Sequence, residues 1–186
     1  MINKKYPIVV LIIISTGFLG LTIFNPYYPS KPSYVGTKVC GMCHKKEDVG
    51  QQLKIWESSK HSQAYKTLKT EKADKVAKEK GFKTKAVETK ECLKCHASGY
   101  DVDKSLLGEK FSVEDGVQCE TCHGPGSEYK TKKIMEDRKL AVENGLFLHE
   151  KPEVFCKKCH NEESPFYKAF DFKEMWAKIK HDRPKK

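Results

Sequence analysis

Four copies of one pentapeptide hold every cysteine of the chain: CGMCH at Cys40 to His44, CLKCH at Cys92 to His96, CETCH at Cys119 to His123 and CKKCH at Cys156 to His160. Cys-x-x-Cys-His is the attachment signature of c-type haem. The thiols of Cys40 and Cys43, Cys92 and Cys95, Cys119 and Cys122, and Cys156 and Cys159 would add across the porphyrin vinyl groups. His44, His96, His123 and His160 would then be the proximal ligands of iron. The two-residue gap lets both sulfurs and the imidazole reach one macrocycle from a single turn of backbone. Zinc knuckles and disulfide frameworks also use paired cysteines, but neither requires a histidine after every second one. A thioredoxin-like pair belongs in a βαβ context that is missing here. The motifs therefore predict four covalently attached haems c.

The histidine count sharpens this. Seven histidines are present, and the motifs use four, leaving His61, His149 and His181. Low-potential electron-transfer haems usually take a second axial ligand, and His61, His149 and His181 are the candidates for distal ligation. Three spare histidines cannot serve four irons. At least one haem must use another ligand or keep an open sixth position.

The elements that must hold these groups read as mainly helical. Hydrophobic residues make up only 38 % of the 186 residues and charged residues 32 %, a poor side-chain core that four largely apolar discs would supplement. Glu47 to Lys69 reads as a helix with Val49, Leu53, Trp56, Ala64 and Leu68 on one face and His61 at its edge. Thr70 to Lys80 reads as a charged helix stopped by Gly81, and Lys130 to Glu143 as another ending near Gly145. Asp171 with Glu174 resembles a capping box that opens a last helix through Met175, Trp176 and Ile179. A short hairpin within Tyr100 to Val117 is the one place for strands. Trp56, Phe166, Phe170 and Trp176 read as core and haem-packing residues. The expected fold class is mainly α, a multihaem cytochrome c with helices and long irregular loops wrapped around four covalently bound haems. The spacers of 47, 22 and 32 residues between motifs share no period, which excludes a solenoid.

Charge and the N-terminus bound the setting. The net charge of +10 is spread along the chain, and haem propionates, about eight negative charges on four haems, account for it better than nucleic acid does. Lys4 and Lys5 precede an apolar run from Ile8 to Phe24, with no A-x-A cleavage signal after it. Residues 1–25 therefore read as an N-terminal membrane anchor, with a cleaved signal peptide as the alternative, and 26–37 as a linker. Residues 38–186 form the tetrahaem domain. Its expected location is the periplasmic side of the inner membrane.

Beyond the motifs, three blocks resemble the tetrahaem cytochrome c-554 family. They are VCGMCH followed by Trp56, Ser59 and His61; GVQCETCHGPG, Gly116 to Gly126; and CKKCHNEESPF, Cys156 to Phe166, leading to FDFKEMWAKIKH, Phe170 to His181. The resemblance covers nearly the whole chain from about Tyr34 onward. It implies haems in close pairs and a periplasmic role in passing electrons. It also implies a five-coordinate haem on the second motif, with His61 serving the fourth haem and His181 the third. His149 matches a family histidine that either ligates iron or lines the pocket of the open haem.

This chain departs from the pattern in one stretch. The family has a histidine soon after GPG that reaches the first haem, but Ser127 to Lys139 contains none. Either His149 or Met135 takes that role, or the first haem is also open. The spacing around His181 is slightly shorter, and the N-terminal anchor is a further difference.

Two functions follow from these readings. The first is an electron carrier relaying electrons between a membrane or periplasmic oxidoreductase and a redox-protein partner, without catalysis. The second is an oxidoreductase acting on a small nitrogen oxide at a five-coordinate haem, with His149 as the one pocket residue that can be named. The carrier is favoured, because an open iron alone does not define a substrate.

Overall fold

The structure is a computed structural model that describes residues 31–182. The expected anchor, residues 1–25, lies outside the described residues, as does the first part of the linker. Among the described residues no helix is long and apolar enough to cross a membrane.

The fold is mainly α, and the described residues contain no β-strand beyond one parallel bridge between Tyr34 and Leu107. The first described residues run along the third motif. Ser33 N donates to Ser127 Oγ at 2.9 Å, and Ser127 N returns a bond to Ser33 O at 3.1 Å. Helix α1, Thr37–His44, carries the first motif. The helix expected over Glu47 to Lys69 is broken into a 3-10 turn Glu47–Val49, α2 Gln52–Glu57, a second 3-10 turn Lys60–Gln63 and α3 Ala64–Leu68. Gly50 and Gln51 both take left-handed backbone, φ 103° and 50°, and turn the chain out of helix. Ser59 restarts it, its Oγ accepting from His61 N at 3.2 Å. The periodicity is real, but α2 and α3 share it across a break.

Helix α4, Glu71–Glu79, forms as expected, with Thr70 Oγ1 capping Ala73 N at 3.2 Å. Leu68, Ala77 and Ala86 form a small buried cluster with Ala73, Phe82, Val87, Cys92 and Leu93 packed against it. That cluster supports α5, Lys90–His96, which carries the second motif. The hairpin expected within Tyr100 to Val117 is replaced by 3-10 turns at Lys104–Leu106 and Val113–Asp115. Asp103 and Ser112 cap those turns through their side chains and draw the backbone away from strand pairing.

Helix α6, Cys119–His123, is the third motif. The helix expected over Lys130 to Glu143 is two helices, α7 Lys132–Met135 and α8 Arg138–Glu143. Asp137 Oδ1 caps the second by accepting from Lys139 N and Leu140 N, so the chain restarts there instead of continuing. Helix α9, Pro152–Cys156, leads into the fourth motif, and α10, Phe172–Ile179, closes the described chain. Asp171 caps α10 through Glu174 N at 2.9 Å. The reciprocal half of a capping box is absent, since the Glu174 carboxylate pairs with Lys178 at 2.6 Å.

Buried hydrophobic side chains are few among the described residues: Val35, Leu68, four alanines and Tyr129. Phe147, Val154, Phe166, Met175 and Trp176 lie exposed. Large apolar residues outside and alanines inside is the reverse of an ordinary core. Apolar cofactors among the helices would reconcile the two.

Candidate haem centres

The cysteines of different motifs meet in a chain. The thiols of Cys40 and Cys119 lie close enough to shift one another's titration, which sets the first motif beside the third. Cys95 and Cys159 are in the same relation and join the second to the fourth. Cys122 lies close enough to Cys156 to sense its charge, so the third adjoins the fourth. Burial first, and then Cys156 and Cys119, push the Cys122 thiol up to about 11. Cys95 is drawn down to about 7 chiefly by its bond from Cys159. Lys94 and Glu163 form an ion pair across the second and fourth motifs.

Two of the three candidate distal histidines stand opposite a motif histidine. The His61 and His160 rings are 6.0 Å apart between centroids, and those of His123 and His181 are 5.9 Å apart. Two imidazoles bonded to one metal, each through a bond of about 2 Å and across a ring half-width of about 1 Å, would stand roughly 6 Å apart. Both pairs have the separation that axial ligation of one iron requires. Burial, and then the charge of its partner His160, holds His61 below the usual histidine value. His123 is lowered chiefly by burial, against a bond to Phe147 O that raises it. The neutral imidazole is the form that binds iron.

The ring orientation of the other motif histidines also suits iron. His44 Nδ1 bonds Gln52 Oε1 at 3.1 Å, His96 Nδ1 bonds Ala64 O at 2.9 Å and His123 Nδ1 bonds Phe147 O at 2.9 Å. A carbonyl or amide oxygen at Nδ1 fixes its proton there and leaves Nε2 as the lone-pair donor. His160 is set by its ring instead, stacking on Phe170 at 4.7 Å and 18°. His181 Nδ1 bonds Ile179 O at 3.1 Å. These donor sets fit haem.

His149 differs from every other histidine. Its Nε2 lies 2.7 Å from Cys122 O, and its ring packs on Phe155 at 4.0 Å and Phe147 at 5.7 Å. The nitrogen that would face an iron is the one engaged. Trp56 is held by its Nε1 on Val117 O at 2.7 Å, and Trp176 stacks on Phe172.

The residues that clamp the first and third motifs together were not apparent from the sequence. Glu120, only 2 % exposed, accepts Val35 N at 2.8 Å and Gly126 N at 2.7 Å on Oε1, and Gly36 N at 2.7 Å on Oε2. Buried Gln118 joins Thr37, whose Oγ1 donates to Gln118 Oε1 at 3.0 Å, to Ser112 O at 2.7 Å. Tyr129 donates to Gly124 O at 2.7 Å, beside the third proximal histidine. A glutamate between the cysteines of CETCH was the available signal, but its burial depends on backbone amides 84 and 85 residues away.

Residues 39–124, which include the first three motifs, match the family described as "Cytochrome c554 and c-prime". A curated relative, cytochrome c-554 of Nitrosomonas europaea, is 28 % identical over 134 residues, covering 64 % of this chain and 52 % of that protein. The match thus spans about half the length of that relative. No solved structure matches. In its motif spacing and paired imidazoles, and by the match over residues 39–124, the chain is similar to the cytochrome c554 family of multihaem cytochromes.

Proposed function

We propose that the chain carries four haems c, one on each Cys-x-x-Cys-His motif, and relays electrons without itself transforming a substrate. The observation that carries this reading is the pair of opposed imidazoles, His61 with His160 and His181 with His123, at 6.0 and 5.9 Å. An iron held by two histidines has no position left for substrate and changes oxidation state with little ligand movement. Two-histidine ligation also keeps the potential below that of a methionine-ligated haem.

The contacts between motifs support an order of transfer. The Glu120 clasp sets the first motif beside the third, His149 ties the third to the helix leading into the fourth, and the Lys94–Glu163 ion pair joins the fourth to the second, which gives the order first, third, fourth, second. Electrons would enter at one end of this series and leave at the other. The partners are redox proteins, one of them a membrane or periplasmic oxidoreductase. The apolar run Ile8 to Phe24 would hold the domain on the periplasmic face of the inner membrane.

What the protein itself contributes is orientation and insulation. Nδ1 anchors on Gln52, Ala64 and Phe147 fix ring planes, and the Glu120 clasp fixes the distance between two motifs. Bound haem supplies the redox couple. Spectroelectrochemical titration tests the reading: four one-electron steps, reversible and without added substrate, are expected. Fewer than four electrons, or steady consumption of a nitrogen oxide at a rate matching its electron donor, would overturn it.

A further inference from the structure

The Nε2 of His149 is committed to the Cys122 carbonyl at 2.7 Å, while its ring is packed against Phe155 of α9 at 4.0 Å. It belongs to a strap that also holds the third motif through Phe147, whose N donates to His123 O and whose O accepts from His123 Nδ1, both at 2.9 Å. His149 thus ties Cys122 and His123 to the helix that leads into the fourth motif. It stands between two haem attachment sites without presenting a free nitrogen to either.

The count over the whole chain then closes differently. Of seven histidines, four are proximal, His61 and His181 stand opposite His160 and His123, and His149 is engaged. His44 is oriented by Gln52 with its Nε2 left for iron, and no histidine remains to oppose it. Residues 127–139 contain no histidine either. Resting on the four-haem reading above, we propose that His149 is a positioning residue and that the haem on the first motif keeps an open sixth position. That position would take a small π-accepting ligand such as carbon monoxide or nitric oxide. Since His96 also lacks an opposed histidine, the protein would hold two open irons, at the two ends of the series first, third, fourth, second. Exchange with the outside would then be possible at both ends, with the two closed haems between them.

Carbon monoxide titration of the reduced, fully loaded protein tests this, together with a count of high-spin iron by electron paramagnetic resonance of the oxidised protein. Two equivalents bound and two high-spin irons are expected; one or none overturns the proposal. A sulfur-to-iron charge-transfer band in the oxidised spectrum would assign a methionine such as Met135 to the first haem and would also overturn it. His149→Gln, which keeps a donor for Cys122 O, should leave both counts unchanged. A third open iron in that variant would make His149 a ligand. His149→Leu should shift the low-spin signature of the third haem, with His149→Gln restoring it; an unshifted signature removes the positioning role. Haem content is read separately by pyridine haemochrome, so a value below four would fail the four-haem reading and not this inference.

Discussion

Glu120 offers a quantitative test of how the first and third motifs are held. Its carboxylate is 2 % exposed and accepts three backbone N–H groups, from Val35, Gly36 and Gly126, at 2.7–2.8 Å. Glu120→Gln keeps the shape but places an amide NH2 against one of those donors, most simply Gly36 N–H. One charge-assisted bond, worth about 1.5–3 kcal/mol, is lost, and the two remaining bonds fall to neutral strength of about 1 kcal/mol each. Because the neutral amide is less costly to bury than the carboxylate, the net cost falls at the low end of that sum, about 3 kcal/mol. For a chain of this length that corresponds to a drop of about 6–12 °C in Tm. Thermal unfolding of the haem-loaded protein, followed by the loss of low-spin absorbance, measures it. Amide exchange should accelerate most at Gly36, which loses its acceptor, and less at Val35, which keeps a weaker one. A drop below about 2 °C with unchanged exchange at those amides would refute the clasp.

Three further outcomes follow from single contacts. Gly116 takes φ 75°, and a Cβ there would come within 2.5 Å of His61 O, so Gly116→Ala should cost about 2 kcal/mol or more and displace His61. Its readout is partial conversion of the fourth haem to high spin, and an unchanged spectrum would contradict the pairing of His61 with His160. Leu68→Ala removes the largest side chain of the small buried cluster and should cost about 2–4 kcal/mol, read by denaturant unfolding, with the second-motif haem signal lost first. Trp56→Phe deletes the bond to Val117 O and should lower stability by about 1 kcal/mol without changing the number of low-spin haems.

Much of the site was legible because it is local. Cysteine spacing marks the expected attachment points within five residues, and elimination leaves three spare histidines, of which the resemblance singles out His61 and His181. The resemblance assigned His61 to the fourth motif and His181 to the third, and the ring pairs bring those residues together. His149 was not legible, since its contacts are a carbonyl 27 residues away and a phenylalanine on α9. Glu120 was hidden for the same reason. In the fold, α4 was readable from Thr70 to Gly81 because cap, periodicity and stop are all in the sequence. The helix expected over 47–69 failed because hydrophobic period survives a 3-10 interruption, and Gly50, Gln51 and Ser59 act on the backbone. The turns in 100–117 carry strand-like residues, but Asp103 and Ser112 bond their own backbone and set the local conformation.

The central claim is that every cysteine is spent on haem, two per cofactor, with no thiol left for zinc or a disulfide. The intact mass of the purified, denatured protein tests it directly. A single species heavier than the polypeptide by four haems, with no thiol reactive to an alkylating reagent, is the result expected. Fewer than four additions, or cysteines recovered as disulfides or released by a zinc chelator, would contradict it.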